Sequence, residues 1–256
     1  MTPAKKREKP KAVRRAAPTP RTAVAAGESA AGVRRQSYHH GRLRDALIEA
    51  TLQLLEEGGP ERVTVREAAK RAGVSSGAPF RHFPTRTALL TAVAEAAMGR
   101  FRAEIDTAIG QADPDDPLAR FRAVGTAYLR WALHNPTHFR VISDRSLIDL
   151  EGSQAFRRDN LEIRGLMDEQ LAEAQRRGML RSVDVTLVPV AARALVYGLA
   201  RMHVDGHLAQ WDVPADAAER QLQAALDLVI DSLSTRPPAP SDHPTSRRAR
   251  GPRQAG

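Results

Sequence analysis

Apolar residues recur at spacings of three and four along most of residues 43–233, and this period predicts α-helices. Clusters of Gly and Pro separate the periodic stretches, and the clearest internal break is QADPDDP at residues 111–117. The predicted helices cover residues 43–57, 64–72, 75–83, 85–109, 118–135, a short restart from Pro136 through Ile142, 160–177, 187–207 and 214–233. This pattern therefore predicts an all-α protein.

The stretch TVREAAKRAGVSSGAPFRHF, residues 64–83, predicts two short helices joined by a tight turn. Thr64 is a good N-cap and Glu67 completes a capping box, while Gly73 stands where a left-handed residue ends the first helix. Ser75 is then placed to cap the second helix. A helix, a short turn containing Gly and a second helix form the helix-turn-helix of DNA-binding proteins, although an ordinary corner between packed helices has the same shape.

The segments on both sides of this motif carry further information about its class. SYHHGRLRDALIEATLQLLEEGG precedes it and RHFPTRTALLTAVAEAAMGRF follows it. From about Ser37 to Phe101 the chain resembles the N-terminal DNA-binding domain of the TetR family of bacterial transcriptional regulators. The resemblance implies that double-stranded DNA is a partner and that the second helix of the motif enters the major groove.

The same resemblance implies individual DNA contacts in and around the motif. They are Thr64 on the DNA backbone, Ser75, Ser76, Gly77, Ala78 and Pro79 at or near the bases, and Phe80, His82 and Arg86 close to phosphate. Two residues depart from the family pattern. Phe80 lacks the hydroxyl of the Tyr usual there, and Pro79 removes an early backbone donor.

A polar and aromatic segment precedes the first predicted helix, which is expected to start at Gly41 or Leu43. Its Tyr38, His40 and Arg42 would lie at a helix N-terminus, where free backbone N–H groups can hold a phosphate. The alternative is that these side chains are merely solvated.

The formal net charge of +9 is concentrated at the two ends of the chain. Residues 1–36 carry ten Lys or Arg against two Glu, and residues 234–256 carry five Arg against one Asp. Residues 1–36 have almost no large apolar side chains and residues 234–256 have the composition of turns and tails, so we expect disordered basic tails. Each tail is either a solubilising arm or a source of salt-dependent phosphate contacts without sequence information.

The C-terminal half predicts a helical bundle over residues 111–233, following a connecting helix at 86–110 and the DNA-binding domain at 37–85. YLRWALHNPTHFRV and ALVYGLARMHVDGHL resemble the C-terminal domain of WHG-type TetR regulators, with Gly198 kept and Tyr197 standing where His is expected. Residues 187–207 and 214–233 would pair with a second copy in a homodimer, as TetR-like proteins dimerise. Alternatively, they only close the core of their own monomer.

A pocket in this bundle is expected to bind an unknown apolar or amphipathic effector. Its candidate lining residues, each of which could instead fill the core, are Phe121, Tyr128, Trp131, Met167, Tyr197 and His203. His203 and His207 have metal-ligand spacing, but no third ligand is evident and no metal site or cofactor is expected. No P-loop, GxGxxG or GxSxG motif points to an enzyme.

The sequence contains no cysteine and no run of about 18 apolar residues, so we expect a cytoplasmic protein without membrane spans. The expected function is a ligand-responsive regulator, most readily a repressor, that binds a palindromic operator as a homodimer. Two other classes remain open. One is a sequence-nonspecific DNA-organising protein that binds through its tails, and the other is a helical ligand-binding protein or enzyme with a vestigial motif.

Overall fold

A computed structural model describes the backbone of residues 27–236 and the side chains of residues 42–236. Its contacts divide the chain after Leu43 into two compact units, and the packing described below belongs to the second. Over the described residues the fold is all-α, as predicted. The helices are α1 Gly27–Gly58, α2 Val65–Arg71, α3 Arg86–Gln111, α4 Pro117–His134, α5 Pro136–Ser143, α6 Gln154–Arg176, α7 Val188–Val204 and α8 Ala218–Leu233.

Helix α1 begins well before the predicted start at Gly41 or Leu43. Residues 27–36, expected to be disordered, are helical because GESAAGVRRQ is rich in Ala, Glu, Arg and Gln, which favour helix. Residues 38–42 therefore lie inside a helix, where backbone N–H groups bond to carbonyls of the preceding turn. The predicted phosphate site at a helix N-terminus there is wrong, and the side chains of Tyr38 and His40 lie outside the described residues.

The end of α8 also differs from the prediction of a tail starting at Ser234. The N–H of Thr235 donates to the carbonyl of Met179 at 2.9 Å, and the N–H of Arg181 donates to the carbonyl of Leu233 at 2.9 Å. These bonds form a short antiparallel bridge that ties the end of α8 to the loop after α6. The tail predictions for residues 1–26 and 237–256 lie outside the described part of the chain.

Side-chain caps fix the starts of the bundle helices. The Thr85 hydroxyl accepts from the N–H of Ala88 at 3.0 Å and starts α3 as predicted. Asp116 accepts from two N–H groups at the start of α4, and Ser153 accepts from the N–H of Phe156 at the start of α6. The Ser153 cap explains why α6 begins six residues before the predicted position at Asn160.

Helix α4 lies at the centre of the bundle and packs against α3, α6, α7 and α8. Arg122 of α4 forms ion pairs with Asp227 and Asp231, which hold α8 against it. Arg102 of α3 donates to Glu162 of α6 at 2.7 Å. Since α3 runs unbroken from the helix-turn-helix region into the bundle, both parts belong to one compact unit, and the predicted domain limits at residues 85 and 110 remain predictions.

Candidate nucleic-acid interface and internal cavity

The first helix of the motif, α2, forms as its residue chemistry predicts. The Thr64 hydroxyl accepts from the N–H of Glu67 at 3.0 Å. At the other end Gly73 has a φ of 69°, in the left-handed region, and its N–H donates to the carbonyl of Lys70. The N–H of Val74 donates to the carbonyl of Ala69 at 3.0 Å, which completes a Schellman C-cap. The predicted cap and turn are confirmed.

The second element is a shorter structure than the predicted helix. Residues after Ser75 form a turn, in which the N–H of Ala78 donates to the Ser75 carbonyl, and then a 3-10 helix at Ala78–Arg81. No side-chain hydrogen bond caps this helix. Ser and Gly are poor helix formers and Pro79 has no N–H, so a regular helix capped by Ser75 is not formed.

This turn presents small groups to solvent. Ser75, Ser76 and Gly77 are exposed, Ala78 is half-buried, and Phe80 is 42% exposed. An added Cβ at Gly77 would meet no atom of the protein within 4 Å, so packing does not explain why a side chain is absent there. Such a surface allows a second molecule to approach the backbone closely.

Two neighbours of Phe80 behave differently from the sequence prediction. Pro79 is buried, so it packs inside the protein and the prediction that it contacts bases is wrong. Arg81 was not among the predicted contacts but is exposed on the same 3-10 helix. Its cationic side chain beside the motif is the signal that could have identified it.

Arg86, predicted to contact phosphate, is held by the protein itself. Its Nε donates to the Val63 carbonyl at 3.0 Å and its Nη2 donates to the Pro60 carbonyl at 2.8 Å. These bonds join the first turn of α3 to the segment that leads into α2. Arg86 thus has a positioning role that the sequence did not predict, and the two N–H groups of Nη1 and the second N–H of Nη2 are left for the implied phosphate contact.

Three other predicted DNA contacts, Thr64, Arg42 and His82, have side chains that the structure describes. Thr64 is exposed, and its hydroxyl can still donate outward while it caps α2. Arg42 is exposed on α1, and His82 is half-buried with its ring 6.3 Å from that of Phe83. Their contacts with DNA stay predictions.

An ion pair attaches α2 to the end of α1. Nη2 of Arg71 donates to Oε2 of Glu57 at 2.6 Å, and this hydrogen bond lowers the pKa of the Glu57 carboxyl. Both side chains are near the surface, so the pair contributes orientation more than stability.

An internal cavity of about 40 Å³ lies in the bundle between α3, α4, α6, α7 and α8. Three of the six predicted effector-binding residues, Phe121, Tyr128 and Met167, line it. The lining residues that the sequence did not single out are Phe101, Val124, Gly125, Ile163, Ala192, Arg193, Val196, Leu226 and Ile230. Apart from the Tyr128 hydroxyl and the Arg193 guanidinium, this lining is apolar.

The other three predicted effector contacts are not part of the cavity lining. Trp131 is buried behind Phe101, with ring centroids 5.1 Å apart. Tyr197 is partly exposed and lies 6.0 Å from the ring of Phe139, and His203 lies near the end of α7. Helical periodicity identifies buried positions but does not distinguish cavity walls from solid core.

A second, open groove of about 300 Å³ lies between α7, α8 and the loop before α7. Beside it, Val190 is 70% exposed and Leu228 is 72% exposed, and Leu187 and Val229 are also exposed. This apolar face, which we call the α7/α8 face, lies on the helices predicted to form the dimer.

The histidine pair considered for metal binding does not share one helix. Helix α7 ends at Val204, Gly206 is left-handed, and His207 starts a separate 3-10 helix. Among the residues whose side chains are described, no group of three or more His, Asp or Glu could hold a metal ion. Within the described range, no helix combines the length and apolar character needed to cross a membrane.

Two protein-family models match this chain, one over the helix-turn-helix region and one over the bundle. Residues 47–93 match the family described as bacterial regulatory proteins, tetR family. Residues 121–229 match the tetracyclin repressor-like C-terminal domain. The resemblance to the WHG subgroup stays a prediction.

Three similar proteins illustrate the range of relatives. The nucleoid occlusion factor SlmA of Vibrio campbellii is 33% identical over 110 residues, which are 41% of this chain and about half, 53%, of that protein. A solved protein of unknown function from Rhodococcus sp. RHA1 has a TM-score of 0.64 at 29% identity, covering 78% of this chain and 99% of that one. The ketosteroid regulator KstR2 of Mycobacterium tuberculosis shares the fold, with a TM-score of 0.59 at 21% identity over 75% of this chain and 95% of its own.

The sequence matches and the geometry of the motif agree. One family model covers the helix-turn-helix region with its capped α2 and exposed turn, and another covers the bundle that contains the cavity. The chain therefore belongs to the TetR family of DNA-binding transcriptional regulators.

Proposed function

We propose that this protein represses transcription as a homodimer bound to a palindromic operator, and that a small molecule in the internal cavity releases it from DNA. Its role is DNA binding and ligand sensing rather than catalysis, and it acts in the cytoplasm. The observation that carries the proposal is the path of α3. This helix is joined to the motif through Arg86 at its first turn and lines the cavity with Phe101 further along.

The exposed apolar side chains of the α7/α8 face support the homodimer. Val190 and Leu228 would each leave water when this face packs against its copy, and burial of apolar surface is the main driving force of such association. A two-fold axis at this face would give two motifs related by symmetry. Motifs arranged in this way read two half-sites of a palindrome about one helical turn apart.

Contacts around α3 support coupling between the cavity and the motif. Glu95 of α3 accepts a hydrogen bond from the Ser153 hydroxyl at 2.8 Å and lies 3.5 Å from Nη2 of Arg44 on α1. Ser153 caps α6, which contributes Ile163 and Met167 to the cavity. A ligand that moves α6 or α3 would change these contacts, and its effect is limited to its differential affinity for the two states.

Selection of bound fragments from the source genome tests the proposal. The protein is incubated with sheared genomic DNA at physiological salt, and the retained fragments are sequenced. Recovery of one palindromic sequence, in fragments upstream of genes, would support a sequence-specific regulator, and a rise in transcription of those genes when the protein is deleted would support a repressor. Recovery of fragments without any shared sequence would contradict it.

A second candidate function is a role in organising DNA rather than regulating a gene. It is favoured by the likeness to proteins named nucleoid occlusion factors and by the ten Lys or Arg of residues 1–36. In this case deletion of residues 1–36 would abolish binding to every sequence. A repressor lacking the same residues would keep its preference for the palindrome over unrelated DNA.

A further inference from the structure

The internal cavity contains one cationic group in an otherwise apolar wall. The guanidinium carbon of Arg193 lies 4.8 Å from the ring centroid of Tyr128, in a cation–π contact. Within residues 42–236, the structure records this ring contact for Arg193 and no ion pair with a carboxylate. Arg193 is itself exposed, so water reaches its guanidinium, and it offers a charged donor to the carboxylate of a ligand at the solvent side of this apolar wall.

Tyr128 supplies the second polar group of the same wall. It is only 5% exposed, and its burial raises the pKa of the phenol to about 12, although the charge of Arg193 acts in the opposite direction. The phenol is therefore protonated at physiological pH, and its O–H is a donor. Arg193 and Tyr128 together offer N–H and O–H donors to one acceptor.

We propose that the effector is an amphipathic anion, an apolar chain that ends in a carboxylate, bound by Arg193 and the Tyr128 hydroxyl. This inference rests on the proposed function only in calling the ligand an effector. The chain of the ligand lies against Phe101, Ile163 and Met167, which are apolar and belong to α3 and α6. A neutral chain of the same length lacks the charge-assisted hydrogen bond to Arg193 and binds more weakly.

The cavity has to open to accept such a chain, because about 40 Å³ is far below the volume of a drug-sized ligand. The route for opening is the wall that it shares with the groove of about 300 Å³. Phe121, Ala192, Leu226 and Ile230 line both spaces. Displacement of this wall joins them into one apolar channel that ends at Arg193.

Leu226, one residue of this wall, packs closely against Gly125 of α4. An added Cβ on Gly125 would lie 2.9 Å from Cδ2 of Leu226, a contact too close to keep. Gly125→Ala therefore pushes the Leu226 side chain away from α4 and alters the wall without touching Arg193. Leu226 is a flexible side chain and Ala favours helix, so the fold tolerates this change.

The test compares dodecanoate with dodecanol, both below the concentration at which they aggregate, by titration calorimetry on the full chain. The wild type is expected to bind dodecanoate roughly three- to tenfold more tightly than dodecanol, because the charged pair at Arg193 is partly screened by water. Arg193→Gln should remove this preference and leave the affinity for dodecanol unchanged, whereas Arg193→Lys should keep part of it. Arg220→Gln removes an exposed charge on α8 and is the matched control.

A second variant distinguishes the contribution of the ligand's apolar chain to binding from the contribution of its charge. Gly125→Ala should change the affinity for both amphiphiles by the same factor, because it acts on the apolar wall alone. Equal binding of dodecanoate and dodecanol to the wild type, an unchanged preference in Arg193→Gln, or binding of neither compound overturns the inference.

The same titrations distinguish this inference from the proposed function. If the wild type prefers dodecanoate through Arg193 but its complex with the selected DNA persists, the anion site stands and the ligand-responsive repressor fails. If operator binding is confirmed but neither amphiphile binds, the repressor stands and the anion site fails.

Discussion

Nε of Arg86 donates a hydrogen bond of 3.0 Å to the carbonyl of Val63, and Nη2 of the same side chain donates to the carbonyl of Pro60. Arg86 is the first residue of α3, and the two carbonyls belong to the segment just before α2. One side chain therefore fixes the entry into the helix-turn-helix against the helix that leads to the cavity.

Replacing Arg86 by Ala should lower the free energy of unfolding by roughly 1–3 kcal/mol, because it leaves two backbone carbonyls without their charged donor. Urea unfolding followed by circular dichroism measures this change. Affinity for the selected DNA should fall at every salt concentration by a similar factor. A variant with wild-type stability, and with a salt dependence reduced by about one phosphate contact, would show that Arg86 acts on DNA instead.

Gly77→Ala tests whether the exposed turn lies against another molecule. The backbone at Gly77 has a φ of −89°, which any residue adopts, and there is open space around it. Stability should be unchanged or slightly higher, by roughly 0.4–1 kcal/mol. Affinity for the selected DNA should fall roughly tenfold in a fluorescence anisotropy titration, because the added methyl group separates the surfaces.

Gly165→Ala is the matched control for this experiment, because Gly165 is also exposed, has open space around it and lies on α6. It should leave DNA affinity unchanged. Wild-type affinity in Gly77→Ala would mean that this turn does not approach DNA.

Leu228→Asp tests the proposed dimer face. Leu228 is 72% exposed, so a charge there should not disturb the fold of one chain, but it would be buried without a partner in a dimer. Light scattering should show a dimer for the wild type and a monomer for the variant, with loss of operator binding. Leu161→Asp on α6, where Leu161 is 67% exposed, should remain dimeric. If both variants have the mass of the wild type, the α7/α8 face is not the dimer contact.

His138 gives the protein a defined pH dependence. Burial, with a further effect of the nearby Arg100, lowers the pKa of His138 below its ordinary 6.5, although Glu49 acts in the opposite direction. The unfolded chain therefore binds the proton first as the pH falls below 6.5, so the free energy of unfolding should decrease there. The contribution of His138 to this decrease should level off once the folded histidine is protonated.

Urea unfolding at a series of pH values measures this dependence. His138→Gln should remove this contribution to the slope, while His134→Gln, a change at an exposed position on α4, should keep it. Identical slopes in the wild type and in His138→Gln would rule out His138 as the titrating group.

The hydrogen-bonding and backbone preferences of single residues predicted those parts of the motif whose structure depends only on nearby residues. The Thr64 cap and the left-handed Gly73 follow from hydrogen bonds within a few residues, and both are confirmed. The second element was predicted too long, because the weak helix propensity of Ser76, Gly77 and Pro79 was given too little weight against the expected helix-turn-helix pattern. The role of Arg86 depends on carbonyls more than twenty residues away, which no local pattern reveals.

Prediction of the cavity from the sequence met the same limit, because contacts between residues far apart in the chain decide which side chains line it. Periodicity identified the helices and half of the predicted effector contacts, including Tyr128 and Met167. It could not place Arg193 beside Tyr128, because the side of α7 that faces α4 is set by packing between helices. Trp131 was chosen for its aromatic ring, yet it fills the core behind Phe101.

The most direct test of the central claim is the mass of the complex between the protein and the selected palindrome, measured by native mass spectrometry. The account predicts two chains on one palindrome, and loss of the complex when one half-site is scrambled. A single chain on the DNA, or equal binding to a scrambled palindrome, would contradict a two-fold regulator that reads its operator through the exposed turn at Ser75–Gly77.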